Sequence, residues 1–158
     1  MTIATSNKTN DLKPSQVIYL DSLAEVGWSK DSKSLFLTRS DGGWVGSWYV
    51  RVIRSNDNWT KEIDVSQDAL EDYQRLITRC PEEIPNVVAL GWVGTTDQLL
   101  IVVETPNHSS CPDMGNVEGY LVAVPSGKVI QRYDQDALRK QYSHLMGQRL
   151  LSKYEPNR

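Results

Sequence analysis

Residues 25–38 read Glu25-Val26-Gly27-Trp28-Ser29-Lys30-Asp31-Ser32-Lys33-Ser34-Leu35-Phe36-Leu37-Thr38, and a recognisable copy returns as Ala89-Leu90-Gly91-Trp92 followed by Asp97-Gln98-Leu99-Leu100-Ile101-Val102. Trp28 maps to Trp92 and Leu35 to Leu99 at one offset of 64 residues, so the spacing from each tryptophan to the following apolar run is kept. A second pair of copies lies further along each unit: Gln67-Asp68-Ala69-Leu70 recurs verbatim as Gln135-Asp136-Ala137-Leu138. The offset there is 68, and it carries Ser66 onto Asp134, two residue types whose side-chain oxygens accept from the orphan N–H groups at a helix start. The chain therefore reads as a tandem duplication in which strands are followed by a helix.

The individual elements fit that frame. Residues 17–20 are a β-branched and aromatic run that predicts a lead-in strand pairing forward with the next strand. Residues 24–28 predict that next strand, 30–33 a turn of side chains that bond their own backbone, and 35–38 the returning strand. Asp41-Gly42-Gly43 signals a hairpin, 48–53 a third strand and 59–65 a fourth. Ala69, Leu70, Tyr73, Leu76 and Ile77 keep the spacing of an amphipathic helix that Pro81 ends. The second unit repeats the order with strands at 87–92, 99–103, 120–124 and 129–133, a turn at Pro125-Ser126-Gly127-Lys128, and a helix striped by Leu138, Tyr142, Leu145 and Met146. Trp28 and Trp92 are expected in the core, and Leu70 and Leu138 are expected to bury against their own sheets. The expected fold class is α+β and β-rich, with two antiparallel four-stranded units, each followed by a helix. The domain spans 15–151, with repeats at about 15–81 and 86–151, a flexible segment at 1–14 and a frayed tail at 152–158.

At 158 residues the chain can bury a core without staples. Hydrophobic content of 39% and charged content of 23% exclude the disordered and membrane classes, and no apolar run approaches the roughly 20 residues of a membrane helix. Residues 1–16 are rich in Thr, Ser and Asn and lack the apolar segment of a secretory signal, so a cytoplasmic location is expected. In that compartment Cys80 and Cys111 would be two free thiols. The net charge of −3 gives no general affinity for nucleic acid. Its distribution is uneven, however: six acidic and no basic residues lie between 80 and 127, while seven basic and three acidic residues lie from 128 onward.

Trp28-Ser29-Lys30-Asp31-Ser32-Lys33 ahead of an apolar strand resembles the β-propeller blade repeat, whose usual form at that turn is W-S-P-D-G-K. Residues 120–133, with Ser126-Gly127-Lys128 at their turn, resemble the outer hairpin of such a blade. The resemblance covers 24–65 and 87–133. It departs from the family in three ways: Val93-Gly94-Thr95-Thr96-Asp97 has lost the motif, two units are fewer than the 4–8 of a closed propeller, and a helix ends each unit. Sheets that pack on each other and on their helices are the favoured outcome.

Candidate sites concentrate where the second unit differs from the first. The stretch from Glu104 to Glu118 spans fifteen residues with His108, Cys111 and Asp113 inside it, and loops of that length are often functional. His108 and Cys111 form an H-x-x-C pair with Asp113 nearby, but no second pair completes a tetrahedral metal set, so no metal is expected. Cys111 could pair with His108 or His144 for nucleophilic catalysis, but no catalytic signature accompanies them: there is no G-x-S-x-G, no H-E-x-x-H and no phosphate-cradling glycine loop. Trp44 and Trp48 stand in the glycine-rich hairpin 41–48, in the manner of recognition aromatics.

The function expected is a non-enzymatic interaction protein without a cofactor. Its general character, carried by no motif, is similar to that of the immunity proteins with which bacteria neutralise a cognate toxin. Trp44, Trp48, Glu104, His108, Asp113 and Glu118 are the expected contacts to a partner with a basic surface, by occlusion and electrostatic steering. Neither nucleic acid nor membrane is an expected partner. The alternative is a carbohydrate-binding module in which several chains associate into a closed propeller, a homo-oligomer with Trp44 and Trp48 stacking on sugar rings.

Overall fold

The computed structural model describes residues 2–4, 17–19, 23–42, 46–76, 80, 82–94, 96–147 and 150–151, the first two segments as backbone alone. Strands β1 (Thr2–Ala4) and β2 (Val17–Tyr19) form an antiparallel pair with Ile3 opposite Ile18. The lead-in strand thus pairs backward with a segment that carries no strand signal, not forward as expected. The predicted tail at 152–158 lies outside the described residues.

The rest is α+β and β-rich. Strands β3 (Ala24–Trp28), β4 (Ser34–Ser40), β5 (Trp48–Arg54) and β6 (Glu62–Asp64) form one antiparallel meander, followed by α1 (Gln67–Leu76). Strands β7 (Asn86–Trp92), β8 (Gln98–Glu104), β9 (Val117–Ala123) and β10 (Val129–Tyr133) form the second, followed by α2 (Gln135–Tyr142). Two antiparallel four-stranded sheets in tandem fit the blade-like description. No helix among the described residues is long and apolar enough to cross a membrane.

The duplication is visible in the register. Trp28 closes β3 opposite Leu35, and Trp92 closes β7 opposite Leu99. The two motifs also touch, because the Trp92 indole N–H donates to the Gly27 carbonyl at 3.1 Å and its ring packs beside Phe36. Their burial differs. Trp92 joins the core between the sheets, whereas Trp28 is 47% exposed and meets Trp59 edge-on, so the expectation of two core tryptophans fails for the first. Trp28 ends β3 on the outer face of the first sheet, the face on which Leu35, Leu37 and Ile53 form a separate buried cluster. In the turn between β3 and β4, Asp31 accepts from the Lys33 N–H (3.0 Å) and the Ser29 hydroxyl (2.8 Å), and these two bonds hold its carboxyl below the usual value. Ser32 takes φ +58° at the place where the blade repeat has glycine.

The sheets meet through one core. Phe36, Val50 and Val52 face Val87, Ala89, Leu99, Ile101, Val103, Tyr120 and Val122, and β7, an edge strand, lies against β3, β4 and β5. The Ala89 N–H on that edge donates to the buried Thr38 hydroxyl at 3.0 Å. Leu100, Val102, Val117 and Leu121 turn to the other face of the second sheet. The uninterrupted run from Leu99 to Val103 is the signature of a strand covered on both faces.

The helices provide the covers, but not as expected. Ala69 and Tyr73 of α1 pack on β8 and β9, on the inner face of the second sheet. Leu138 and Tyr142 of α2 pack on the outer face of the same sheet, with Leu138 filling the space that a side chain at Gly119 would need. The identical first turns are therefore not equivalent in packing. Leu70 is only partly buried, and the buried stripe of α1 is displaced by one residue relative to that of α2. Asp134 caps α2 as predicted, accepting from the Ala137 N–H at 2.8 Å, while the Ser66 hydroxyl donates instead to Asp64 at 2.7 Å. The fourth strand of the first unit is shorter than predicted because Asn58 and Trp59 take positive φ in the turn before it. The predicted turn before β10 brings Gly127, at φ +73°, so near the Val65 backbone that a Cβ would lie 3.1 Å from its Cα.

Candidate functional site

The stretch between β8 and β9 contracts to residues 105–116, because Glu104 pairs with Val117 and Glu118 with Val103 at the strand ends. It is built as a rigid excursion. Thr105 N–H donates to the Asn116 carbonyl and Gly115 N–H to the Thr105 carbonyl, both at 3.0 Å, closing its neck. The Tyr73 hydroxyl, reaching over from α1, lies 2.8 Å from the Thr105 hydroxyl and donates to the Asn116 carbonyl at 3.1 Å. Burial raises the affinity of that phenol for its proton, which keeps it a donor. At the tip, Ser109 donates to Glu83 at 2.7 Å and accepts from the Cys111 N–H at 3.0 Å.

Cys111 is joined to Cys80 in a disulfide, with the Cα atoms 6.0 Å apart. This corrects the expectation of two free thiols, and the sulfur of Cys111 is neither a thiolate nucleophile nor a metal ligand in this state. The cytoplasmic expectation implies two thiols, whereas bonds of this kind persist in oxidising surroundings. Sequence spacing could not reveal the pairing, because β7 and β8 lie between the two cysteines. No group of three or more metal-ligating side chains occurs among the described residues.

A cleft of about 210 Å³ opens where the loop meets the seam between the repeats. Glu25 and Trp48 line it from the first sheet, Asn86, Val88 and Glu104 from β7 and β8, and Asn107 and His108 from the loop. Asn86 ties the two sides together, its side-chain oxygen accepting from the Trp48 N–H at 3.1 Å. Glu104 is only 3% exposed, so its carboxyl sits within the wall, whereas Glu25 stands in solvent. A shallower hollow of about 310 Å³ adjoins it, sharing Asn86 and His108 and adding Glu82, Glu83, Ile84 and Pro106. No lysine or arginine lines either hollow among the described residues.

Of the residues singled out from the sequence, Trp48, Glu104 and His108 thus share one cleft. Trp44 lies outside the described residues. Asp113 is buried inside the loop, and its backbone N–H faces the Cys111 sulfur at 3.4 Å. Glu118 is turned away from the cleft, beneath α1, on the face of β9 that also carries Tyr120. Glu25, Asn86, Val88 and Asn107 were not singled out, although Glu25 belongs to the repeat motif itself. Nothing local distinguishes it, because its cleft partners other than Trp48 come from the other repeat.

Comparison with protein-family models, with curated proteins and with solved structures returned no match.

Glu118 belongs to a second polar cluster. Its side chain is 13% exposed, with Oε2 lying 4.0 Å from Arg132 Nε, too far for a hydrogen bond. Arg132 is shared with Asp72 of α1 at 3.8 Å, and Asp72 also pairs with Arg75 at 3.2 Å. Burial pushes the Glu118 carboxyl up to about 7, with Arg132 opposing and the charges of Asp134 and Asp72 assisting. Burial and the neighbouring Asp72 and Glu118 likewise raise the Tyr120 phenol, whose oxygen has no hydrogen-bond partner among the described residues. This cluster lies between α1 and the second sheet and bears on stability rather than on the cleft.

Proposed function

We propose that the chain is a non-enzymatic binding module that docks a basic protein surface on its seam face and acts by occlusion. The observation that carries this reading is the gathering of Glu25, Glu104, Glu82 and Glu83 around two adjoining hollows lined by no lysine or arginine among the described residues. Carboxylates held on strands and on a loop fixed by a disulfide are preorganised, so a partner would meet little ordering cost there. Their common sign would accelerate encounter with a basic surface and repel acidic competitors. An immunity protein that blocks a cognate toxin is the form of this function that best fits the chain's general character.

The alternative, several chains closing a carbohydrate-binding ring, requires another sheet to stack on the outer face of the second sheet. That face is occupied by α2. A monomeric binding module is therefore the better reading.

The test is affinity capture from the source cell with the parent chain and a Glu82→Lys/Glu83→Lys variant, at low salt and at about 0.5 M salt, where the Debye length falls to a few ångströms. A basic protein retained by the parent, lost by the variant and weakened by salt is expected. Capture that ignores both changes would sink the proposal.

A further inference from the structure

We propose that the cleft formed by β3, β5, β7, β8 and the stapled loop is a receptor for a single basic side chain of that partner, an apolar stem tipped by a guanidinium group. This rests on the protein-docking reading above and names what enters its centre. Size comes first. A volume of about 210 Å³ is below the range of roughly 300–1,000 Å³ of sites that enclose a drug-sized ligand, so one side chain is the appropriate occupant.

The chemistry of the walls then selects its type. Val88 and Trp48 supply apolar surface for methylene groups, and long basic side chains bury their stems on such surface while the charged head seeks polar partners. An indole beside a guanidinium adds cation–π attraction, strongest for tryptophan. Glu25, exposed at the rim, supplies the negative charge for the head, and Glu104 lines the wall. An anionic tip would meet the Glu25 carboxylate as a like charge.

Four features make the receptor rigid. Asn86 is bonded to the Trp48 backbone, the loop neck is closed by Tyr73, its tip is held by Glu83, and Cys111 is bonded to Cys80. Arginine and tryptophan anchors in such pockets are the residues that dominate binding energy at protein interfaces.

The experiment titrates the full ¹⁵N-labelled chain with N-acetyl-arginine amide and with its neutral isostere N-acetyl-citrulline amide, following backbone and indole resonances. Saturable shifts at Trp48, Asn86, Asn107 and His108 are expected for the arginine probe, with citrulline at least about fivefold weaker, the weight of a part-exposed ion pair. Glu25→Gln, at an exposed position, should weaken the arginine probe by a similar factor with the rest of the spectrum unchanged. Equal binding of citrulline, or arginine shifts that spare these residues, would overturn the receptor. If a partner is captured and depends on Glu82 and Glu83 while the arginine probe leaves the cleft unmoved, the docking face stands and the receptor falls. If the probe binds as described and capture fails, the receptor stands and the docking reading falls.

Discussion

Replacing Glu118 by Gln tests the buried cluster under α1. In the folded chain the carboxyl titrates near 7, against an ordinary value of 4.5. The folded state therefore holds this proton more tightly than the unfolded chain does. Its contribution to stability is complete below about pH 4.5 and is lost as the pH rises through 7. At roughly 1.4 kcal/mol for each pKa unit, the loss is on the order of 3 kcal/mol. Glutamine cannot ionise, so Glu118→Gln should escape it. Relative to the parent, the variant should be more stable at pH 8 than at pH 4.5 by about that amount.

Urea unfolding of both proteins from pH 4.5 to 8.5 measures this directly. With an m value of about 2 kcal/mol/M, the variant's midpoint should move relative to the parent's by roughly 1–2 M across the range. Titrations common to both proteins cancel in the difference. Parallel curves would refute the reasoning, and so would a difference of opposite sign. The latter would mean that Arg132, 4.0 Å away, holds the carboxylate ionised in the folded state.

Four further variants probe the fold. Leu138→Ala should cost about 2–5 kcal/mol, because Leu138 is fully buried against the second sheet, and Leu70→Ala should cost less than half as much; equal losses in denaturant unfolding would contradict the displaced stripes. Cys80→Ser/Cys111→Ser opens a bridge spanning 31 positions and should lower stability by roughly 3–4 kcal/mol, with the loop becoming cleavable under limited proteolysis; unchanged unfolding would show that Tyr73 and Glu83 suffice to hold it. Ser32→Gly should raise stability by up to about 1 kcal/mol by relieving the positive φ in the first turn, read as an upward shift in thermal midpoint; a downward shift would show that the serine side chain has a role there.

The parts of the fold legible in the sequence are those set by short-range chemistry. Apolar runs gave the eight sheet strands, Asp134 announced its helix through a cap that reaches three residues ahead, and the Trp-to-Leu spacing gave the equivalent hairpins. The misreadings concern which surface an element meets. Gln-Asp-Ala-Leu is the same tetrapeptide twice, yet Ala69 is buried in α1 and Leu138 in α2. The difference is set by what stands opposite: the inner face of the second sheet for one helix, and the outer face with its gap at Gly119 for the other. Trp28 and Trp92 diverge for the same reason. Of the site, the loop and Trp48 were marked by length and residue type, whereas Glu25 and Asn86 carry no local mark.

The placement of both helices on one sheet explains why the site lies where it does. With α1 and the first sheet on its inner face and α2 on its outer face, the second sheet is the central layer, and β7 is the edge that runs into the first sheet. An edge strand carries N–H groups that must find partners, and β7 finds Thr38 through Ala89. Asn86, at the end of the same strand, accepts from the Trp48 backbone instead. Beside that crossing lies the cleft, lined from both sheets. A duplicated scaffold thus yields one asymmetric site, because the cysteine-bridged loop that walls it belongs to the second repeat. The loop that walls the cleft obeys the same logic: it leaves the central layer beside the crossing, and its neck is fastened by Tyr73 from the helix that joins the repeats. Changes that loosen α1 should therefore reach the cleft through Tyr73, while changes confined to α2 should leave it intact.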